Sequence, residues 1–337
     1  MKLRYILVFA AILGVLGGCA KKDANNPSSP NTSTEGKLRF AVIPKGMTHE
    51  YWKAVHAGAD DAAKELGVEI IWKGPPTESD RMSQKDTVAN FVNDKVSGIV
   101  LAPLDNKVLG DAVEEAKQAG IPVVIIDSGL ADEFKDSYVS FIATDNEKGG
   151  EIAGQRMVEL LKGKGRVIMM RYQPNSASTD LREEGFLKVM KATPGITMVS
   201  DNQYGNATKE SAAKTGETLL ARFMKPDGSF GADGIFCPNE STTYGMLTVL
   251  QQSNLAGKVK FVGFDSSDEL IKALEKSSIN GLVVQNPYKM GYDGVKTLYK
   301  SIKGQKVEKT YDTGATMVTP ENMKQPENDK LLKPKRL

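Results

Sequence analysis

The sequence predicts an α/β protein built from two doubly wound parallel sheets, each flanked by helices. Three features point to it. Short apolar runs without helical period alternate with amphipathic stretches from residue 37 onward. That alternation starts a second time after a short run at residues 140–146. The chain of 337 residues also exceeds one comfortable core and suggests two domains. Strands separated by helices of this length need crossover connections, and hence a parallel sheet with helices on both faces.

In the first half, residues 38–43 read as a strand. Residues 49–66 place Trp52, Val55, Ala59, Ala62, Ala63 and Leu66 on one helical stripe, and Gly67 supplies the stop. A strand at 68–72, a helix at 79–95 and a strand at 98–101 follow. A helix at 106–119 is closed by Gly120, and the strand 123–126 ends at Asp127. In the second half, helices are expected at 147–161, 179–191, 209–223, 241–252 and 288–302, with a further one beginning near Ser267. Strands are expected at 166–170, 196–200, 234–237, 258–264 and 279–285. Gly149, Gly150 and Gly154 read as close-packing positions on their helix. Beyond Val318 the chain turns polar and proline-bearing, so residues 325–337 read as a loosely attached tail.

The stretch 258–265, Lys-Val-Lys-Phe-Val-Gly-Phe-Asp, organises the functional reading. It is an apolar run ending on a carboxylate, which places Asp265 at the carboxyl edge of a buried strand, where open parallel sheets bind ligands. Other residues just past strands are Asp127, Arg171, Asn239, Glu240 and Gln285, and His49, Tyr51 and Trp52 lie at the start of the first helix. Carboxylates, amides and a guanidinium form paired hydrogen bonds with vicinal hydroxyls, and aromatic faces cover the C–H surface of a sugar ring. A polyol or monosaccharide pocket is the natural reading. Plainer alternatives exist for each residue: Asp265 or Asn239 as a helix cap, Asp127 as a turn former, Trp52 as core packing.

Composition narrows the field. Hydrophobic residues make up 40% and charged residues 26%, as in ordinary globular proteins. The formal charge of +2 is owed to Lys2 and Arg4, so the remainder is neutral, which argues against nucleic acid. No Gly-x-Gly-x-x-Gly follows a strand, and no nucleophile elbow or phosphate loop occurs. The only histidines, His49 and His56, do not make a metal site, and His56 reads as a boundary residue. Neither an enzyme nor a cofactor is expected. Cys237, in an apolar run, reads as a small buried hydrophobe.

At the amino end, Lys2 and Arg4 precede an apolar segment at 6–16, then Leu16-Gly17-Gly18-Cys19. An apolar stretch of about 15 residues falls short of the roughly 20 that a spanning helix needs. The motif resembles a bacterial lipobox. That resemblance implies a signal peptide at 1–18, lipidation of Cys19, and anchoring to a membrane in the periplasm or at the cell surface. Residues 19–36, rich in Asn, Pro, Ser and Thr, form a flexible tether.

Along the folded body run Tyr51-Trp52-Lys53-Ala54-Val55-His56-Ala57-Gly58, Ile125-Ile126-Asp127, Ile142-Ala143-Thr144-Asp145-Asn146 and Arg182-Glu183-Glu184-Gly185-Phe186. They are followed by Ile235-Phe236-Cys237-Pro238-Asn239-Glu240, Val262-Gly263-Phe264-Asp265 and Val284-Gln285-Asn286-Pro287. Taken in this order and spacing, these stretches resemble the type I, LacI-like periplasmic sugar-binding proteins of the ribose-binding family. The resemblance implies two lobes joined by three hinge strands: 37–144 with 286–313, and 145–285 with 314–326, leaving a tail at 327–337. It also implies a monomer that traps a sugar by hinge closure and hands it to the permease of an ABC importer.

By the same resemblance, Tyr51 and Trp52 sandwich the sugar ring, His49 is a polar contact, and Asp127 and Asp265 accept from hydroxyls. Arg182, Asn239 and Gln285 donate. Two departures, Ser128 in place of an arginine and Ala102 in place of an asparagine, would leave ribose hydroxyls unpaired at about 1–3 kcal/mol each. They point to another pentose, a hexose or a sugar alcohol. A sensory receptor for a sugar or an autoinducer-2-like signal is the alternative with the same fold and address. A transcription-regulator core shares the fold, but no helix-turn-helix precedes residue 37.

Overall fold

Helices and strands alternate through most of residues 37–337, the part of the chain that the computed structural model describes. The signal segment, Cys19 and the tether lie outside the described residues. In chain order the elements are β1 (Arg39–Ile43), α1 (Glu50–Leu66), β2 (Glu69–Trp72), α2 (Arg81–Asn93), β3 (Gly98–Leu101), α3 (Val108–Gln118), β4 (Val123–Ile126) and β5 (Ser140–Ala143). Then come α4 (Asn146–Leu161), β6 (Gly165–Arg171), α5 (Ala177–Lys191), β7 (Ile196–Tyr204), α6 (Lys209–Phe223), β8 (Gly234–Phe236), α7 (Glu240–Gln252) and β9 (Lys260–Phe264). The last are α8 (Asp268–Glu275), β10 (Gly281–Gln285), α9 (Pro287–Ile302), β11 (Thr310–Asp312), β12 (Ala315–Val318) and α10 (Pro326–Leu332).

The strands form two six-stranded sheets, in the orders β11-β5-β4-β3-β1-β2 and β12-β10-β9-β8-β6-β7. Every pairing is parallel except β12 against β10, which is antiparallel. The chain passes between the sheets three times: from β5 into α4, from β10 into α9, and from β11 to β12. Two lobes joined by a three-strand hinge result. The central strands β3, β4 and β10 are buried along their whole length, as continuous apolar strands covered on both faces must be. Each sheet carries one apolar cluster per face.

Helix pairs beside each sheet meet through glycines. A Cβ on Gly58 of α1 would lie 2.0 Å from the Tyr288 carbonyl oxygen, and one on Gly291 of α9 would lie 2.0 Å from that of Val55. In the other lobe, Gly150 of α4 is similarly close to the Arg182 carbonyl, and Gly185 of α5 to that of Glu147. These residues let backbones touch, and the second pair fixes where α5 presents Arg182.

The sequence reading places most elements within a few residues, with three differences. Strand β7 extends to Tyr204, and strands β11 and β12 are additional. The carboxyl end is not a loose tail. Residues 326–332 form α10, whose Leu332 is fully buried with Leu270, Val284 and Met323, and Ser266 Oγ donates to the Leu332 carbonyl at 2.9 Å. Beyond it, Lys335 Nζ pairs with Asp61 of α1 at 2.5 Å, while Arg336 Nη1 lies 3.3 Å from Asp268 and 3.7 Å from Glu50. Polar composition concealed this because few apolar side chains, Leu332 with Leu331 beside it, provide the anchor.

Leu332→Ala should lower the unfolding free energy by about 2–5 kcal/mol in urea denaturation, as for other buried leucines. A change within about 0.5 kcal/mol would return the segment to a solvated tail.

Candidate functional site

Loops leaving the carboxyl ends of both sheets meet over a narrow polar cavity of about 30 Å³. It is lined by all eight residues expected from the sequence, His49, Tyr51, Trp52, Asp127, Arg182, Asn239, Asp265 and Gln285. Lys45, Glu78, Tyr172, Ser178 and Thr179 join them.

The two aspartates are placed by the same device. Asp127 follows β4 and Asp265 follows β9, and each amide donates to the neighbouring strand, to Ile142 O at 3.0 Å and Val283 O at 2.8 Å. Their φ angles are +64° and +67°, a left-handed conformation that aspartate tolerates better than most residues. Such backbone ends the ladder and turns the carboxylate into the cleft. Asp265 is not a helix cap: Ser267 caps α8, while Asp265 accepts from Glu240 N at 3.0 Å and from Gln285 Nε2 at 2.7 Å. Asn239 does both jobs, capping α7 through Thr242 N and lining the cavity.

Arg182 is held rigidly. Its Nε donates to Asn146 Oδ1 at 2.8 Å, its Nη1 to Pro238 O at 3.0 Å, and its guanidinium lies 4.1 Å over the Phe264 ring. Tyr51 Oη donates to Asp127 Oδ1 at 2.9 Å. The opposite carboxylate oxygen, Asp127 Oδ2, is in ion-pair contact with Lys45 Nζ at 2.8 Å without being aligned as a hydrogen bond. Asp127 Oδ2 and Gln285 Oε1 are buried acceptors that receive no hydrogen bond.

The expected sandwich between Tyr51 and Trp52 is ruled out. Their rings meet edge to face, with centroids 4.9 Å apart and planes at 87°, so nothing fits between them. Successive positions in the first turn of a helix point in different directions. The aromatic group contributed by the opposite lobe is Tyr172, just after β6.

Charge is balanced within the site. His49 Nδ1 lies 2.8 Å from Glu78 Oε1, and Nε2 lies 3.2 Å from Ala207 O, so both ring nitrogens face acceptors. Burial opposes the charged imidazole, but the charge and hydrogen bond of Glu78 outweigh it and raise His49 to about 9. Burial pushes Glu78 up, and the His49 charge and hydrogen bond, aided by Lys45 and Tyr172, overturn this and bring it to about 2. At Asp265 burial dominates, and the carboxyl rises to about 6 despite the Arg182 charge and the Gln285 hydrogen bond. Cys237 is fully buried and burial pushes its thiol up, so it is no nucleophile. Arg171 does not reach the cavity but pairs with Glu183 at 2.7 Å. His56, half-buried, stacks on Trp72.

The lobes are closed on each other. Lys45 Nζ donates to Ser178 Oγ at 3.0 Å, Tyr51 N to Glu240 Oε2 at 3.2 Å, Ser178 N to Ser128 Oγ at 3.1 Å, and Tyr172 Oη to Glu78. Two of the residues that sequence reasoning missed, Lys45 and Tyr172, carried the same signal as those it found. Lys45 follows β1 and Tyr172 follows β6, both beyond the carboxyl ends of strands, while Glu78 lies between β2 and α2. Lys45 also sets a cation beside Asp127 where the residue after the aspartate, Ser128, carries none.

Comparison with known proteins adds to this geometry. Residues 40–306 match the family described as periplasmic binding protein domain. A D-allose-binding periplasmic protein of Escherichia coli is 27% identical over 82% of this chain and 88% of its own. A solute-binding protein of Agrobacterium vitis with bound D-fucose is 35% identical, with a TM-score of 0.83, covering 88% of this chain and all of that one. A carbohydrate transporter solute-binding protein from Agrobacterium radiobacter in complex with D-arabinose is 34% identical, with a TM-score of 0.82, covering 89% of this chain and all of that one. With its two hinged lobes and its polar cleft, the chain therefore belongs to the periplasmic binding protein family, as a type I sugar-binding protein of the ribose-binding kind.

Proposed function

We propose that this protein is an extracytoplasmic receptor that captures a neutral monosaccharide or sugar alcohol between its lobes and delivers it to an ABC import permease. The observation that carries this reading is the converging set of buried carboxylate, amide, guanidinium and aromatic groups at the facing sheet edges, with Gln285 Oε1 in need of a donor and Asp127 Oδ2 met only by the Lys45 charge. Hydroxyl hydrogens meet that need. The ionised side chains are matched by opposite charges: Lys45 with Asp127, His49 with Glu78, Lys209 with Glu240, and Arg182 acting on Asp265. A ligand with net charge would be buried without a counter-charge, at a cost of several kcal/mol, so an uncharged one is favoured.

Capture needs no bond to be made or broken. The ligand binds one lobe, the hinge strands bend, and groups of the second lobe complete its hydrogen bonds. The sugars in the related structures, D-arabinose and D-fucose, and the D-allose of the related receptor, are the first candidates. Lipidation of Cys19 would hold the receptor at the membrane.

Asp265→Asn keeps the size of the side chain and tolerates the left-handed backbone. It should weaken sugar binding roughly 10–100-fold, the worth of a hydrogen bond to a charged group, with little loss of folding. Calorimetric affinity equal to wild type would remove Asp265 from the site. Because hydroxyls donate better to the ionised carboxylate and Asp265 titrates near 6, affinity should fall about tenfold between pH 7.5 and pH 5. The Asp265→Asn variant should lose that slope; retention of the full slope would assign it to another group.

A further inference from the structure

One cavity residue has no place in the hydroxyl-binding scheme, although it is the most heavily bonded carboxylate in the cleft. Glu78 lies in the loop between β2 and α2 and is 4% exposed. Its carboxylate accepts from Trp52 Nε1 at 2.6 Å, from His49 Nδ1 at 2.8 Å, and from Tyr172 Oη. Its backbone carbonyl accepts from Gln173 Nε2 at 3.0 Å. The loop after β1 packs directly over it, since a Cβ on Gly46 would lie 2.9 Å from Glu78 Cγ. Trp52 and His49 belong to the first lobe, Tyr172 and Gln173 to the second.

We propose that Glu78 is a positioning residue that fixes the Trp52 indole and the His49 imidazole in the first lobe and, by receiving the Tyr172 phenol, couples their placement to closure. The inference rests on the sugar-receptor reading for what is bound. In the open lobe the carboxylate already holds two donors, so the aromatic wall keeps its orientation before ligand arrives. Closure removes the carboxylate from water, and the phenol proton supplies the hydrogen bond that offsets this. A lobe that closes with Trp52 misplaced has no acceptor in position for Tyr172. Specificity for the face of the sugar is thereby tied to the ability to shut.

The groups facing this assembly are Lys45 and Arg81 as cations, Asp127 and Glu240 as anions, and the Ala207 carbonyl against His49 Nε2. Glu78→Gln keeps the shape but removes the main support for a charged His49, leaving burial opposed only by the Glu240 charge and the Ala207 carbonyl. With only two histidines in the chain, the imidazole signals in nitrogen-15 NMR can be assigned to one or the other.

The test uses the whole protein with D-arabinose, D-fucose and D-allose as probes. In Glu78→Gln, His49 should titrate clearly below its wild-type value near 9, and dissociation of the tightest probe in stopped flow should accelerate roughly 10–100-fold. Tyr172→Phe should speed dissociation about tenfold while leaving the association rate and the His49 titration as in wild type. The double variant should dissociate no faster than Glu78→Gln alone. Additive effects of the two changes, or an unshifted His49 in Glu78→Gln, would overturn the coupling while leaving the receptor reading intact. A wild type that binds none of the probes or any other neutral sugar would overturn the receptor reading, and this proposal would fall with it. If Glu78→Gln fails to fold, Tyr172→Phe still decides: an unchanged dissociation rate rejects the proposal.

Discussion

Closing two lobes over a small polar guest buries ionised side chains, and a buried charge without a partner costs several kcal/mol. This constraint shapes the cleft. Each lobe neutralises itself first: Lys45 with Asp127 and His49 with Glu78 in one, Lys209 with Glu240 and Arg182 acting on Asp265 in the other. What passes between lobes is hydrogen bonding onto groups already paired, such as Lys45 to Ser178, Tyr51 N to Glu240 and Tyr172 to Glu78. The hinge can therefore open without stranding a charge in either half, and the closed state needs no ion pair between lobes inside the cleft.

The fold delivers this arrangement through backbone choices rather than surface decoration. Left-handed residues at the ends of β4 and β9 turn two aspartates toward the same space. Reciprocal glycines bring α4 and α5 into backbone contact, so that Arg182 sits where Asn146, Pro238 and Phe264 can hold it. Fully buried Gln84 donates to the carbonyls of Pro44 and Ala102 and accepts from Leu104 N, bracing the loops after β1 and β3. The site is as rigid as the sheet edges that carry it.

Much of this was legible in the chain, because period and punctuation survive in sequence. Uninterrupted apolar runs marked the buried strands, Gly67 marked the end of α1, and residues just past strands marked the cleft. What escaped depended on three-dimensional pairing. Tyr51 and Trp52 are adjacent, which suggests a joint role, yet helix geometry sets their rings perpendicular and leaves the far wall to Tyr172. Glu78 sits in a loop of ordinary polar composition, and only folding shows that its carboxylate faces Trp52, His49 and Tyr172. Leu331, Leu332 and Leu337 stand in a polar segment without a period, so the burial of Leu332 could not be singled out.

The central claim is that the cleft takes a neutral, hydroxyl-rich molecule. A thermal-shift screen over pentoses, hexoses, sugar alcohols and their carboxylate-bearing analogues tests it most directly, because a ligand that binds only the folded state raises the melting temperature with concentration. At least one neutral sugar or polyol should give a saturable rise, and its uronate or aldonate counterpart none. A response confined to charged ligands, or no response to any neutral sugar, would contradict the account.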